Sequence, residues 1–271
     1  MTTGLLIGPE RFAGRAERLG CQFLAFANVK LGRGGVYEAE TGERELAIVG
    51  LGGRFSVESS RGAWREIGGR ANVFAGKPHT LYLPPHTSLS IASEWGCDLA
   101  LCFSDAGDAH EPRLIAPEDI RVEIRGGGNA TRQIHHIIGP EFPAHRLLVC
   151  EVYTPAGNWS SYPPHKHDVH DPPHEVDLEE IYYYRIRHPE GFAIQKVYTA
   201  DRRIDETVTV HDGELVLVPE GYHPVVAAHG YDVYYLNALA GSAHSMAASD
   251  DPDYAWVRAE WREKDPRLPL F

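Results

Sequence analysis

The chain has 271 residues, 43% of them hydrophobic, which suits one large domain or two of ordinary size around a sizeable core. Twenty-six basic residues against 38 acidic ones give a formal charge of -12, which argues against non-specific binding to nucleic acid or to an anionic membrane. Nineteen prolines and 27 glycines favour short strands and many turns over long helices.

The opening MTTGLLIGPERFAG has neither a basic start nor a long apolar run, so no signal peptide is expected there, and no stretch reaches the roughly eighteen apolar residues of a membrane span. RELAIVGLGGRFSVES (44–59) reads as two apolar runs joined at Gly52-Gly53. Its GLGG lacks the GxGxxG spacing of a dinucleotide loop. TLYLPPHTSLSIAS (80–93) is a strand, a Pro-Pro break and a second strand. CDLALCFS (97–104) alternates, and IRVEIRGGG (120–128) is a strand running into a turn. Charged and glycine-rich residues over 105–130 mark the passage between two units, with the boundary near 125, giving units 1–125 and 126–271. Cys21, Cys97, Cys102 and Cys150 form no CxxC pair or disulfide framework, so free thiols and a cytoplasmic location are expected.

The second unit repeats the style in HRLLVCEVYTPAG (145–157), LEEIYYYRIR (178–187), GFAIQKVYT (191–199), ETVTVHDGELVLVPEGYHPVVA (206–227) and YDVYYLNALAG (231–241). In the tail, 246–264, Tyr254, Val257 and Trp261 fall on one face of a predicted outer helix. LYLPPHTS in the first unit parallels LVLVPEGYHP in the second. Together the patterns predict an all-β fold of two related jelly-roll units; the connections are too short for βαβ crossovers.

SSYPPHKHD (160–168) carries the chemistry. His165 and His167, two apart on an extended chain, share one face, and neutral imidazole suits zinc, iron, nickel or cobalt. Glu179 or Glu180 supplies a carboxylate; adjacent strand residues face opposite ways, so only one serves. His223, after LVPEGY, is the third imidazole. His170 and His174 read as members of a solvated acidic loop, and His135 and His136 as surface histidines. His86 stands at the matching place in the first unit, which has no HxH and no paired glutamate, so that unit serves packing.

Gly157, His165, His167, Glu180, Gly191, Gly213, Pro219, Gly221, His223 and Asn237 resemble the cupin signature, with residues 168–179 as an inserted loop between HxH and glutamate. The signature favours Glu180 as the ligand. GNWSSYPPHKHD, LEEIYYYRI, GFAIQKVYT, LVPEGYHPV, GYDVYYLNALAG, VFAGKPHTLYLPPHTS and GPEFPAHRLLVCEVYTP resemble the 5-deoxy-glucuronate isomerase family, over nearly the whole chain. That resemblance implies a bicupin of two jelly-roll β-barrel or sandwich domains, the first degenerate. It implies conversion of 5-deoxy-D-glucuronate to 5-dehydro-2-deoxy-D-gluconate, the aldose–ketose step of myo-inositol breakdown. It also implies one divalent ion on His165, His167, Glu180 and His223, zinc foremost, with manganese, iron, nickel or cobalt as alternatives.

Period 2 from Glu180 puts Tyr182 and Tyr184 on the metal face, where either could act in catalysis. Gln195 and Lys196 face opposite ways, so one of them points inward: Lys196 toward a carboxylate or in catalysis, Gln195 toward a hydroxyl. Arg132 and Arg185 are candidate carboxylate clamps, Tyr222 a candidate substrate contact and Tyr235 a proton donor or core residue. The expected partner is a small sugar acid, with a homo-oligomer open. An iron-dependent cupin dioxygenase and a non-enzymatic sugar-binding cupin are the competing readings.

Overall fold

The computed structural model describes residues 4–271. In its first half the strands are β1 Leu6–Ile7, β2 Leu24–Leu31, β3 Gly35–Glu40, β4 Arg44–Ser59, β5 Gly62–Gly68, β6 Thr80–Leu83, β7 Ser88–Ser93, β8 Cys97–Asp105 and β9 Arg113–Ile115. There follow β10 Arg121–Arg125, β11 Arg132–Ile138, β12 Leu148–Thr154, β13 Trp159–Ser160, β14 His165–Lys166, β15 Leu178–Ile186 and β16 Ala193–Tyr198. The last are β17 Asp205–Val210, β18 Leu215–Val218, β19 Val225–Ala227, β20 Val233–Gly241 and β21 Ser249–Asp250, before the helix α1 Val257–Glu260. The helix expected over 246–264 shrinks to that single turn, because Ser249 and Asp250 are drawn into pairing with Lys166 and His165. Among the described residues, no helix is long and apolar enough to cross a membrane.

The strands stack in four layers. One first-half sheet runs β2-β8-β4-β6-β9, and the far end of β4 joins β5 and β7 in a second. The second half contributes a sheet ordered β1-β18-β15-β20-β12-β11-β10 and a smaller one ordered β13-β19-β16-β17. Alternation assigns each strand's two faces to two cores. On β4, Leu46 and Ile48 pack inside the first half, while Ala47 and Val49 face the second half. On β15, Ile181 and Tyr183 face the first half, and Tyr182 and Tyr184 face the small sheet.

The all-β expectation holds, but the jelly-roll barrels do not. Among the described residues no sheet closes: the seven-stranded one ends at β1 on one edge and at β10 on the other, and these two do not pair. Period 2 reports which face of a strand is buried, and that pattern is the same in open and closed sheets. The two runs expected around Gly52-Gly53 are one strand. β4 slips register between Gly50 and Gly52 and bends from one sheet to the next. A Cβ at Gly53, where φ is +80°, would lie 2.3 Å from the Gly96 carbonyl oxygen, so GLGG serves a close backbone approach.

The halves are tied reciprocally. β1, at the start of the chain, crosses to the second half's sheet beside β18, whereas β9 stays with its own half beside β6. Glu45 of β4 accepts the backbone N–H groups of His145, Arg146 and Leu147 at 2.9, 2.7 and 2.8 Å. Glu179 of β15 accepts those of Gln22, Phe23 and Leu24 at 2.6, 2.7 and 2.6 Å.

Candidate metal centre

Between the seven-stranded sheet and the segments carrying residues 161–167 and 246–258 lies a cavity of about 520 Å³. The HxH segment enters it extended, His165 pairing with Asp250 across β14 and β21. His165, His167 and His223 each offer a ring nitrogen, all within 4.8 Å of one another. Two rings are aimed by backbone: His167 Nδ1 lies 2.8 Å from the Leu178 carbonyl oxygen, and His223 Nδ1 lies 2.8 Å from that of Gly221. A proton donated from Nδ1 leaves the Nε2 lone pair free toward the centre, as in metal-ligating histidines.

Glu180 completes the group. Its Oε2 is 3.0 Å from His167 Nε2 and 3.4 Å from His223 Nε2. His223 Nε2 is fully buried and has no hydrogen-bond partner. A buried orphan nitrogen is costly, and a cation between three imidazoles and a carboxylate removes that cost. The residues therefore fit a divalent metal. Burial, with the neighbouring imidazoles, pushes His165 well below the usual histidine range and His223 down to about 3, so both stay in the neutral, ligating form. Burial also lowers His167, but the hydrogen bond and charge of Glu180 more than restore it; burial raises Glu180 against the same hydrogen bond.

The 168–179 insertion is strapped to the centre. Glu175 Oε1 accepts from Lys166 Nζ at 2.7 Å and from the N–H groups of Asp168 and Val169 at 2.9 Å. Asp168 Oδ2 accepts the Gly221 N–H at 2.9 Å, joining the HxH turn to the turn before His223. His170 and His174 are exposed, as expected of a solvated loop.

Of the other candidates, Tyr182 and Arg132 line the cavity. The Tyr182 hydroxyl is 3.0 Å from Ser161 Oγ, whose residue is held at φ +49°. Arg132 is 4% exposed, and burial lowers its pKa to about 10, leaving it charged at neutral pH. Tyr184 lies behind the centre, donating to Gln195 Oε1 at 2.8 Å, and Gln195 in turn donates to the His223 carbonyl oxygen at 3.5 Å. Lys196 points to the outer face, 2.7 Å from Asp205. Arg185 faces the first half, bound to Asp98 and Asp212 at 2.8 and 2.9 Å, and the Tyr222 ring packs against that of Tyr198. His86 is exposed near Glu43, and Leu46 occupies the first-half position that Glu180 holds in the second: each pairs with the strands flanking it in equivalent sheets.

Sequence reasoning passed over Arg121, Arg125, Ser161 and Arg258, all of which line the cavity. The alternation of IRVEIR puts Arg121, Glu123 and Arg125 on one strand face and was the available signal. His136 lines the cavity as well, and His135 is fully buried beside Glu151, so neither is a surface histidine; both belong to β11.

The family model of the KduI/IolB family matches residues 12–257. The chain belongs to that family. It is 43% identical over 242 residues to the 5-deoxy-glucuronate isomerase of Geobacillus thermodenitrificans (strain NG80-2), covering 89% of this chain and 88% of that protein. The crystal structure of an IolB-like protein from Salmonella typhimurium LT2 superimposes with a TM-score of 0.90 at 36% identity, over 93% of this chain and 98% of the other. An oxalate decarboxylase from Lactobacillus farciminis has a TM-score of 0.64 at 13% identity, over 90% and 88%, a likeness of fold alone. The centre described above thus lies within the matched span of a KduI/IolB chain.

Proposed function

We propose that this protein is a 5-deoxy-glucuronate isomerase, converting 5-deoxy-D-glucuronate to 5-dehydro-2-deoxy-D-gluconate in myo-inositol catabolism. The observation that carries the reading is the 43% identity to such an isomerase over nearly the whole of both chains, joined to a three-histidine cluster, two members of which line the cavity. His165, His167, His223 and Glu180 hold one divalent ion, zinc foremost, with manganese, iron, nickel or cobalt as alternatives. A bound ion there supplies Lewis acidity for the carbonyl and adjacent hydroxyl of an aldose.

The chain's own groups orient and exchange protons. Aldose–ketose conversion moves one hydrogen from C2 to C1 and one from the C2 hydroxyl to the C1 oxygen. Tyr182, its hydroxyl hydrogen-bonded to Ser161 at 3.0 Å on the cavity wall, is suited to carry a proton between those oxygens. Gln195 and Tyr184 act at one remove, bracing the His223 turn. The four cysteines are free, in keeping with a cytoplasmic enzyme. The charge of -12 supports a small-molecule partner over nucleic acid.

The test is anaerobic conversion of 5-deoxy-D-glucuronate by the metal-loaded protein, beside His165→Ala and His223→Ala. Ketose formation lost in both variants supports the activity and the site together. No conversion at verified metal content refutes the substrate assignment. Oxygen uptake dependent on the sugar acid would instead favour an iron dioxygenase.

A further inference from the structure

The cavity beside His165 and His167 is also lined by Arg121, Arg125, Arg132 and Arg258. Three of these have acidic partners. Arg125 grips Glu123 through Nε and Nη2 at 2.7 and 2.9 Å, Arg121 lies 3.7 Å from the same carboxylate, and Arg258 grips Asp250 through two nitrogens. Arg132 has none among the described residues. Its Nη1 donates to the carbonyl oxygens of Ala130 and Tyr162 at 3.1 and 3.0 Å, which fixes the guanidinium without neutralising it.

Arg132 also stands directly opposite Arg125 across the β10–β11 pair, so the two side chains rise from the same face. Like charges opposed in this way repel, and a buried cation without an anion is expensive. An anion entering from the cavity removes both penalties, and the guanidinium fork matches a carboxylate. Arg125 and Arg132 line the same cavity as His165, His167 and Glu180. One short molecule can reach both sets. A cavity of about 520 Å³ is of a size to take a six-carbon sugar acid.

We propose that Arg132, backed by Arg125, is the subsite for the carboxylate of the substrate, so that the cavity selects an aldose ending in a carboxylate over the neutral sugar. The inference rests on the isomerase reading for the reaction at the other end of the molecule, but the anion site is testable apart from it. Arg185, the other arginine that strand patterning offers, is committed to Asp98 and Asp212 and faces away.

The experiment compares 5-deoxy-D-glucuronate with its C6 alcohol in wild type, Arg132→Met, Arg132→Lys and Arg125→Gln, each checked for metal content and melting temperature. In wild type the acid is the better substrate. Arg132→Met lowers kcat/KM for the acid by about 100-fold, mainly through KM, and leaves the alcohol unchanged. Arg132→Lys recovers part of the acid preference. Equal losses for acid and alcohol would assign Arg132 a structural role and overturn the proposal. If Arg132→Met does not fold, Arg125→Gln must still narrow the acid preference, and an unaltered preference there overturns it. Calorimetric titration with D-gluconate, which has the carboxylate but no aldehyde, gives a readout without turnover. Gluconate binding lost in Arg132→Met, in a protein that isomerises neither sugar, would keep the anion site and reject the isomerase. Turnover of the acid with gluconate affinity and acid preference both unchanged by Arg132→Met would do the reverse.

Discussion

Glu179 and Glu180 are neighbours on β15 with opposite tasks, and separate substitution distinguishes them. The Glu179 carboxylate accepts three backbone N–H groups of the first half, at 2.6, 2.7 and 2.6 Å. A hydrogen bond to a charged group is worth about 1.5–3 kcal/mol. The Gln22 bond is exposed to water and counts for little, leaving two, so Glu179→Ala should cost about 3–6 kcal/mol. At roughly 2 °C per kcal/mol for a chain of this size, the melting temperature should fall by about 6–12 °C. Bound metal should stay at the wild-type ratio. Glu180→Ala should behave differently. It removes a buried carboxylate whose ionised form burial disfavours but which partners His167 Nε2, so the two effects offset and the metal-free melting temperature should fall less than in Glu179→Ala, while metal affinity falls by about tenfold or more. Differential scanning fluorimetry with and without chelator, paired with elemental analysis, reads both quantities. The argument fails if Glu179→Ala strips the metal, or if the two variants lower the metal-free melting temperature equally.

The other predictions concern the buried pair, the metal and the cavity wall. Burial raises the carboxyl of Glu151, but the adjacent Arg70 guanidinium and the hydrogen bonds from Arg70 and His135 outweigh it and hold it below the usual carboxylate range. Its stabilising contribution is therefore complete above the unfolded value near pH ~4.3 and is lost as pH falls through the lower folded value. Arg70→Met leaves burial opposed only by the hydrogen bonds from His135, Tyr153 and Tyr234, so the variant should be about 3–5 kcal/mol less stable at neutral pH and should lose stability as pH rises from acid toward neutral. Melting curves against pH that run parallel for the two proteins would contradict this. Metal at about 1,000 times its dissociation constant should add about 4 kcal/mol, or roughly 8 °C, which chelation reverses and His165→Ala and His223→Ala abolish. Tyr182→Phe should lower kcat by about 100-fold at little change in KM, and a kcat within twofold of wild type would remove Tyr182 from the chemistry. Lys196→Ala should leave kcat within about twofold, since its ammonium is paired with Asp205 on the outer face; a large loss in steady-state assay would reject that placement.

What was legible in the sequence is what depends on local period. HxH needs only an extended chain to bring two imidazoles to one side, and PEGYH brings the third through a turn marked by its own Pro and Gly. The same parity carries further. With Glu180 inward on β15, Tyr182 and Tyr184 follow and Arg185 must face away, as it does. With His223 inward, Tyr222 should sit on the other side, and it packs against Tyr198. Parity is silent on depth: Gln195 does point inward, yet it stops behind His223 instead of reaching the cavity. It is also silent on pairing. Arg125 and Arg132 converge only because 126–131 turns β10 back along β11, and sheet closure, where the barrel expectation failed, is likewise a relation between strands far apart in the chain.

The same limit hides why one half sets a carboxylate beside a histidine cluster where the other has a leucine. Once register is known, Glu45-Leu46 on β4 corresponds to Glu179-Glu180 on β15. The first residue of each pair faces the opposite half and accepts three backbone N–H groups there, so both halves need it for docking. The second faces its own half's interior, where a leucine packs among Ile48, Leu81 and Leu101 and a carboxylate sits beside histidines. Because adjacent side chains on a strand enter different layers, the ligand can be replaced by leucine without disturbing the glutamate beside it. The first half can therefore carry leucine at the position of Glu180 and still grip the second through Glu45.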